Sequence, residues 1–175
     1  MTAQPILLPL DGTAPAALDP ARLAAANINP KTGLATDYLN HFHEAIMLLD
    51  ILPHTPECIV ELIGWEPVSY PEHFAASPFK DRELAIAAYE AAEPIARVRL
   101  DELADTMNAL LVATCEALLR RSSLESATSL AAETAARLKP LVAQAGAVIN
   151  GQELGASEEM TTAEQQATVD ALFER

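Results

Sequence analysis

The stretch "LDELADTMNALLVATCEALL", residues 100–119, decides the fold class. It is rich in Ala and Leu, which have high helix propensity, and it contains neither glycine nor proline. A mainly apolar series recurs in it every three or four positions, as on one face of an α-helix. The members of this series are Leu103, Met107, Leu110, Thr114 and Leu118. The stretch therefore predicts a long helix packed against a core.

The same helical pattern extends over Asp81–Arg121. Pro94 lies inside it and predicts a kink, because proline lacks an N–H and clashes with the preceding turn. A straight helix of this length would span roughly 60 Å, more than a compact domain of this size. The helix is therefore either broken near Pro94 or used in an oligomer. The earlier part of the expected core-facing stripe is Leu84, Ala88, Ala91, Ile95 and Val98.

Helical spacing recurs through most of the chain, and no alternation typical of a β-strand occurs. The sequence therefore predicts an all-α fold, a helical bundle of about four to six helices. Residues 1–18 are expected to form an extended arm, 19–151 the bundle, and 152–175 a linker with a short helix. Residues 65–79, rich in proline and aromatic side chains, are expected to be an irregular segment that packs as a cap over the core, or alternatively a lid over a site.

The net charge of −14, from 25 acidic and 11 basic residues, argues against binding to nucleic acid or to anionic membranes. The two cysteines, Cys58 and Cys115, form no CxxC motif, as expected for a cytoplasmic chain with reduced thiols. No apolar run reaches the roughly 18 residues that a membrane span needs. These features predict a cytoplasmic protein.

Two of the four histidines, His41 and His43, stand one residue apart in "DYLNHFHEAIMLLDIL", residues 37–52. The apolar spacing of this stretch predicts a helix that begins near Thr36 and ends before Pro53. Each residue turns a helix by about 100°, so the two imidazoles should point about 200° apart. They cannot bind one ion from the same face of the helix.

Four polar residues around His41 fall three or four positions apart and predict one polar stripe: Asp37, Asn40, His41 and Glu44. The acids should favour the charged imidazolium. The stripe becomes apolar further along the helix, and a boundary of this kind is where pockets form. A solvated helix face is the favoured interpretation. The alternative is a ligand-binding pocket that these residues line together with Trp65, Tyr70 and His73.

A transition-metal site is a second hypothesis, with His41, Glu44 and Glu61 as ligands. Di-iron bundles pair glutamates with a Glu-x-x-His motif. No Glu or Asp stands three positions before any histidine here, so that pattern is absent. Without such a site the sequence predicts no cofactor.

The third hypothesis is histidine phosphotransfer. His43-Glu44 inside a helix resembles the arrangement in histidine kinases, over these two residues only. No G-x-S-x-G, H-E-x-x-H, P-loop or G-x-G-x-x-G motif occurs, so we expect no catalytic residues. The sequence favours a non-enzymatic binding or interaction module. Its expected partner is a protein or a second copy of the chain, in a homo-oligomer.

Overall fold

A computed structural model describes residues 18–121 and 123–152 of the chain. Within these ranges it confirms the all-α helical bundle, with seven α-helices, two 3₁₀ turns and no strand. The expected arm and C-terminal segment lie outside the described residues, except for Leu18 and Gln152. The α-helices are α1 (Pro20–Ala25), α2 (Asn40–Ile51), α3 (Ile59–Ile63), α4 (Tyr70–Ala76), α5 (Arg82–Glu90), α6 (Pro94–Leu119) and α7 (Leu124–Ile149).

The bundle is built on a hairpin of α6 and α7, which pack along their length. The four-residue connection between them makes the two helices antiparallel neighbours. Helix α2 packs on α7, and α3 packs on α6, while α4 lies against α5. The largest buried side chains of α6 are Leu100, Met107 and Leu111. The core therefore lies between the long hairpin and the shorter helices that precede it.

Two buried threonines join the long helices at the centre of the hairpin. The hydroxyl oxygens of Thr114 and Thr134 lie 3.0 Å apart. Thr114 also donates to the carbonyl of Leu110 at 2.8 Å. Because a hydroxyl carries one proton, Thr134 is then the donor in the bond between the two threonines. Each buried hydroxyl thus has a partner.

The helix is interrupted before Pro94 and not merely kinked there, so the prediction of one continuous helix is wrong. Helix α5 ends at Glu90, and α6 begins with Pro94 in its first turn. Glu93 caps α6, and its carboxylate accepts from the N–H groups of Ile95 and Ala96. Proline fits a first helical turn because its missing N–H would have no partner there. The break removes the long helix that supported the expectation of an oligomer.

The break also changes which residues of α6 face the core. Ile95 and Val98 were expected to continue the buried stripe of Leu84 and Ala88, but they are 64% and 51% exposed. A stripe stays in phase only along one continuous helix, and α6 starts with a new orientation. Ala91, which follows α5, is exposed as well, so three of the apolar residues that the sequence places in the core lie on the surface.

The loop between α1 and α2 is tied to the far end of the chain's last described helix. The buried hydroxyl of Thr32 donates to the carbonyl of Ile149 at 2.6 Å. Gly33 has a φ of +72°, and a Cβ there would lie 2.7 Å from the carbonyl oxygen of Ala88. The loop is therefore held between α5 and the C-terminal end of α7.

Across the described ranges, none of the helices combines the length and the apolar character required to span a bilayer.

Candidate functional site

The structure places His41 and His43 in α2, on different sides of the helix, as their spacing predicts. His41 is half-buried and faces the aromatic segment after α3. His43 is exposed and faces a groove beside α7. The two imidazoles therefore belong to two separate environments.

His41 lies in an aromatic cluster with Trp65 and His73. Its ring stacks on the indole of Trp65, with 4.6 Å between the centroids and 23° between the planes. The indole N–H of Trp65 donates to the carbonyl of His41 at 3.4 Å. The ring of His73 lies 6.3 Å from that of His41. Trp65 and His73, 24 and 32 positions after His41, are thus brought close to it, and α4 packs on the 3₁₀ turn Thr36–Leu39 that precedes α2.

Burial lowers the pKa of both histidines in this cluster. For His41 the loss of solvent is the largest cause, and the nearby His73 lowers the pKa further. The backbone of Glu66 and the carboxylate of Glu44 oppose these effects without outweighing them. For His73, burial outweighs the backbone and carboxylate of Asp37. The expected charged imidazolium at His41 is therefore wrong, because desolvation disfavours the charged form more than the acids favour it.

The Nε2 atom of His41 is buried and has no hydrogen-bond partner among the described residues. A buried, unpaired polar atom costs free energy. Charging the ring would add to that cost, because the proton would enter a site already closed by the Trp65 indole. The cluster is therefore arranged to hold a neutral imidazole.

Tyr70 is part of the core and does not line an open pocket. It is buried, and its hydroxyl accepts from the backbone N–H of Ala35 at 2.9 Å. Its ring stacks on that of Tyr89, with 4.7 Å between the centroids and 13° between the planes. Tyr89 in turn donates to the carboxylate of Asp101 at 2.8 Å. Burial, followed by this hydrogen bond, raises the pKa of Tyr89 to about 12.

The aromatic segment packs onto the bundle. Tyr70 and Phe74 are buried, and Trp65 and Phe79 pack against the core. Ser69 and Glu72 form a capping box that starts α4. Within the segment that was expected to be irregular, Tyr70–Ala76 form the helix α4. Aromatic rings from this segment thus close the side of the bundle that His41 faces.

The chain from Thr36 to Leu39 is a 3₁₀ turn, so of the expected polar stripe only Asn40, His41 and Glu44 belong to α2. A 3₁₀ turn has three residues per turn, so Asp37 is out of phase with α2. Asp37 and Asn40 line the groove beside His43, and Asp37 also lies close enough to His73 to raise its pKa. Glu44 is exposed.

The groove between α2 and α7 has a volume of about 580 Å³, within the range of small-molecule sites. Its floor includes Gly146, where an added Cβ would touch only Leu39, at 3.8 Å. Lys139 stands at one end and pairs with Asp50 at 3.0 Å. The lining residues are Thr36, Asp37, Leu39, Asn40, His43, Lys139, Val142, Ala143 and Gly146. The groove is open, so a ligand there would stay largely exposed to water.

The proposed metal ligands His41, Glu44 and Glu61 are not assembled. Across residues 18–121 and 123–152, no three His, Cys, Asp or Glu side chains lie close enough to hold an ion. Glu61 is exposed on α3, and the ring of His41 is covered by Trp65. The metal hypothesis for this trio is therefore wrong.

A surface that sequence reasoning missed runs along α6. Eight residues with alternating spacings of three and four are all exposed, opposite the buried face of the helix. We call them the outer stripe: Ile95, Val98, Glu102, Asp105, Ala109, Val112, Glu116 and Leu119. Leu119 is 65% exposed and Val112 is 37% exposed. The signal was present in the sequence as a second apolar series on the same helix.

The structure thus gathers the expected site residues into two places: His41, Trp65 and His73 in the aromatic cluster, and Asp37 with Asn40 in the groove. Comparison of the chain with family models, with curated proteins and with solved structures found no match. A functional assignment therefore rests on the chemistry of the chain's own surfaces.

Proposed function

We propose that the protein is a non-enzymatic interaction module of the cytoplasm that binds a protein partner through the outer stripe of α6. The observation that carries the proposal is the exposure of this stripe. Five of its eight positions are apolar, and all eight face solvent. These apolar positions lie on one line along the helix, with Glu102, Asp105 and Glu116 between them, and exposed apolar side chains grouped on one face mark interaction sites.

The position of the stripe within the fold supports this function. Helix α6 buries its opposite face in the core through Leu100, Met107 and Leu111. The helix is therefore fixed in place by the bundle, and its outer side is presented on a rigid element. A rigid helix face loses little conformational entropy when it binds.

The charge of the chain narrows the class of partner. At a net charge of −14, the surface repels the phosphates of nucleic acids and anionic lipids. Cys58 and Cys115 are free and buried, which fits a reducing compartment. The exposed apolar positions of the outer stripe favour a protein surface as the partner, either another protein or a second copy of this chain in a homo-oligomer.

The test compares two double variants of the protein as bait in a cell lysate, with bound proteins identified by mass spectrometry. Val98→Glu with Val112→Glu places charge on the outer stripe. Ser129→Glu with Ala132→Glu adds the same charge to exposed positions of α7. We expect a partner that binds the unmodified protein and the α7 variant, and that is lost with the stripe variant.

Light scattering on the same three proteins measures whether the chain associates with itself. A dimer that the stripe substitutions dissociate would support the homo-oligomeric form of the proposal. Identical partners and identical mass for all three proteins would contradict a function for the outer stripe.

Phosphotransfer through His43 is a second candidate. His43 is exposed on α2, and it shares the groove with the ammonium group of Lys139. A cation there would attract the phosphoryl group. After incubation with a small phosphodonor, acid-labile phosphate on His43 that is absent from His43→Gln would support this function, and its absence from both would contradict it.

A further inference from the structure

The outer stripe has the geometry of a coiled-coil seam. Its positions follow the three–four spacing that brings a 3.5-residue repeat onto one line along a helix. From Ile95 to Leu119 the line extends over roughly 36 Å. A second helix of about 25 residues could therefore lie along the whole stripe.

We propose that the occupant of this seam is a cationic amphipathic helix of another protein. The inference rests on the function proposed above and specifies the partner. Three of the eight seam positions are acidic, Glu102, Asp105 and Glu116, and none is basic. They are interleaved with Val98, Ala109 and the other apolar positions, so a helix seated there must meet both kinds of side chain.

The three seam acids are available for such a partner. The ion pair formed within residues 18–121 and 123–152 joins Lys139 to Asp50, on the other side of the bundle. Arg99, on α6, stands three positions before Glu102, and Arg120, just after α6, stands four positions after Glu116. Neither arginine forms an ion pair with these acids within the same ranges. Within the described residues, the carboxylates of the stripe therefore have no ion-pair partner.

A wholly apolar helix would be a poor occupant, because it would cover carboxylates without pairing them. A second copy would be poor for the same reason. Two stripes facing one another would hold six carboxylates, three from each copy, and no base on either seam. Lysine or arginine opposite each acid offsets part of this penalty, and leucine-like residues opposite the apolar positions exclude water.

The test uses two synthetic helical peptides of about 25 residues. One has leucine at the seam positions that meet apolar residues and lysine at those that meet acids. The other has glutamate in place of lysine. Binding is measured by fluorescence anisotropy at about 0.15 M salt, where diffuse attraction is screened beyond roughly 8 Å. We expect the lysine peptide to bind at least about tenfold more tightly than the glutamate peptide.

A pair of charge variants separates seam binding from general attraction to an acidic protein. Glu102→Lys, Asp105→Lys and Glu116→Lys together reverse the seam. Glu57→Lys, Glu61→Lys and Glu133→Lys make the same change of net charge at other exposed positions. The seam variant should lose at least about tenfold in affinity for the lysine peptide, and the control variant no more than about twofold.

Equal losses in both variants would overturn the proposal, because they would show that the attraction is diffuse. Equal binding of the two peptides, abolished by Val98→Glu with Val112→Glu, would overturn the cationic partner while leaving the interaction function in place. A stripe-dependent dimer that excludes both peptides would identify a second copy as the occupant. If the proposed function itself is wrong, the lysate experiment will recover the same partners with the stripe variant as with the unmodified protein.

Discussion

The imidazole of His41 lies nearly parallel to the indole of Trp65, 4.6 Å away, with its Nε2 atom buried and unpaired. Trp65 is the single tryptophan of the chain. Its fluorescence therefore reports directly on the environment and the charge of His41. This stacked pair gives the folded state a sensitivity to pH that can be predicted in sign.

Acidification below pH 6.5 should destabilise the fold. The pKa of His41 and that of His73 are both lowered from 6.5 by burial, so the unfolded chain binds more protons just below this pH. Their contribution to stability is complete above 6.5 and is lost as the pH falls through the folded-state pKa values. Urea unfolding followed by Trp65 fluorescence between pH 7.5 and about 5 should show this loss.

The variant His41→Phe should flatten this pH dependence, because phenylalanine keeps an aromatic ring on Trp65 and cannot take up a proton. His43→Gln, which changes the exposed histidine of the same helix, serves as the control and should behave as the unmodified protein does. A slope that is unchanged in His41→Phe would show that His41 does not couple folding to protons.

Thr114→Val should destabilise the protein by about 1–3 kcal/mol, because the buried hydroxyl of Thr134 then loses its acceptor. Replacing both threonines by valine should cost less than the sum of the two single changes, since no hydroxyl is left unpaired. Urea denaturation of the two single variants and the double variant measures the coupling. Strictly additive losses would contradict the assignment of this bond.

Two glycines should respond in opposite directions to alanine. Gly146→Ala should stabilise α7 by about 0.5–1 kcal/mol, because the new Cβ meets only Leu39 at 3.8 Å and glycine is unfavourable inside a helix. Gly33→Ala should cost about 1–3 kcal/mol, since its φ is +72° and its Cβ would lie against the carbonyl of Ala88. Thermal unfolding of the two variants tests both signs, and a gain at Gly33 would refute the described loop conformation.

Tyr70→Phe should cost about 1–3 kcal/mol, because it leaves the buried N–H of Ala35 without an acceptor. Tyr38→Phe is the matched control. The hydroxyl of Tyr38 donates to the carbonyl of Val68 at a partly buried position, where water can replace it. A larger loss for Tyr38→Phe than for Tyr70→Phe would mean that the bond to Ala35 does not support the loop before α2.

Local patterns in the sequence were sufficient to predict the helices but not how they are joined. The sequence predicts that the bundle ends at residue 151, and its last described helix, α7, ends at Ile149. Pro94 indicated that the helix axis changes direction there. A kink and a break leave the same local signature, and the spacing of apolar residues does not show how α5 packs on α4.

The candidate site was likewise predictable from the sequence where it depends on local helix geometry, and not where it depends on tertiary packing. The separation of His41 from His43 follows from the 100° turn per residue alone, so the sequence was sufficient. The neutral state of His41 depends on Trp65 and His73, which only the tertiary fold brings close. The outer stripe was visible as apolar residues, but which of the two series on α6 faces the core depends on the orientation that the helix takes after the break.

The bond from Thr32 to Ile149 sets an order of events during synthesis of the protein. The two residues are separated by 117 positions, so the loop near the beginning of the chain can complete its contacts only after nearly all of the bundle has left the ribosome. Contacts of such long sequence separation form late and slow the overall reaction. The growing polypeptide would therefore hold its first helices in a provisional arrangement until α7 arrives to close them.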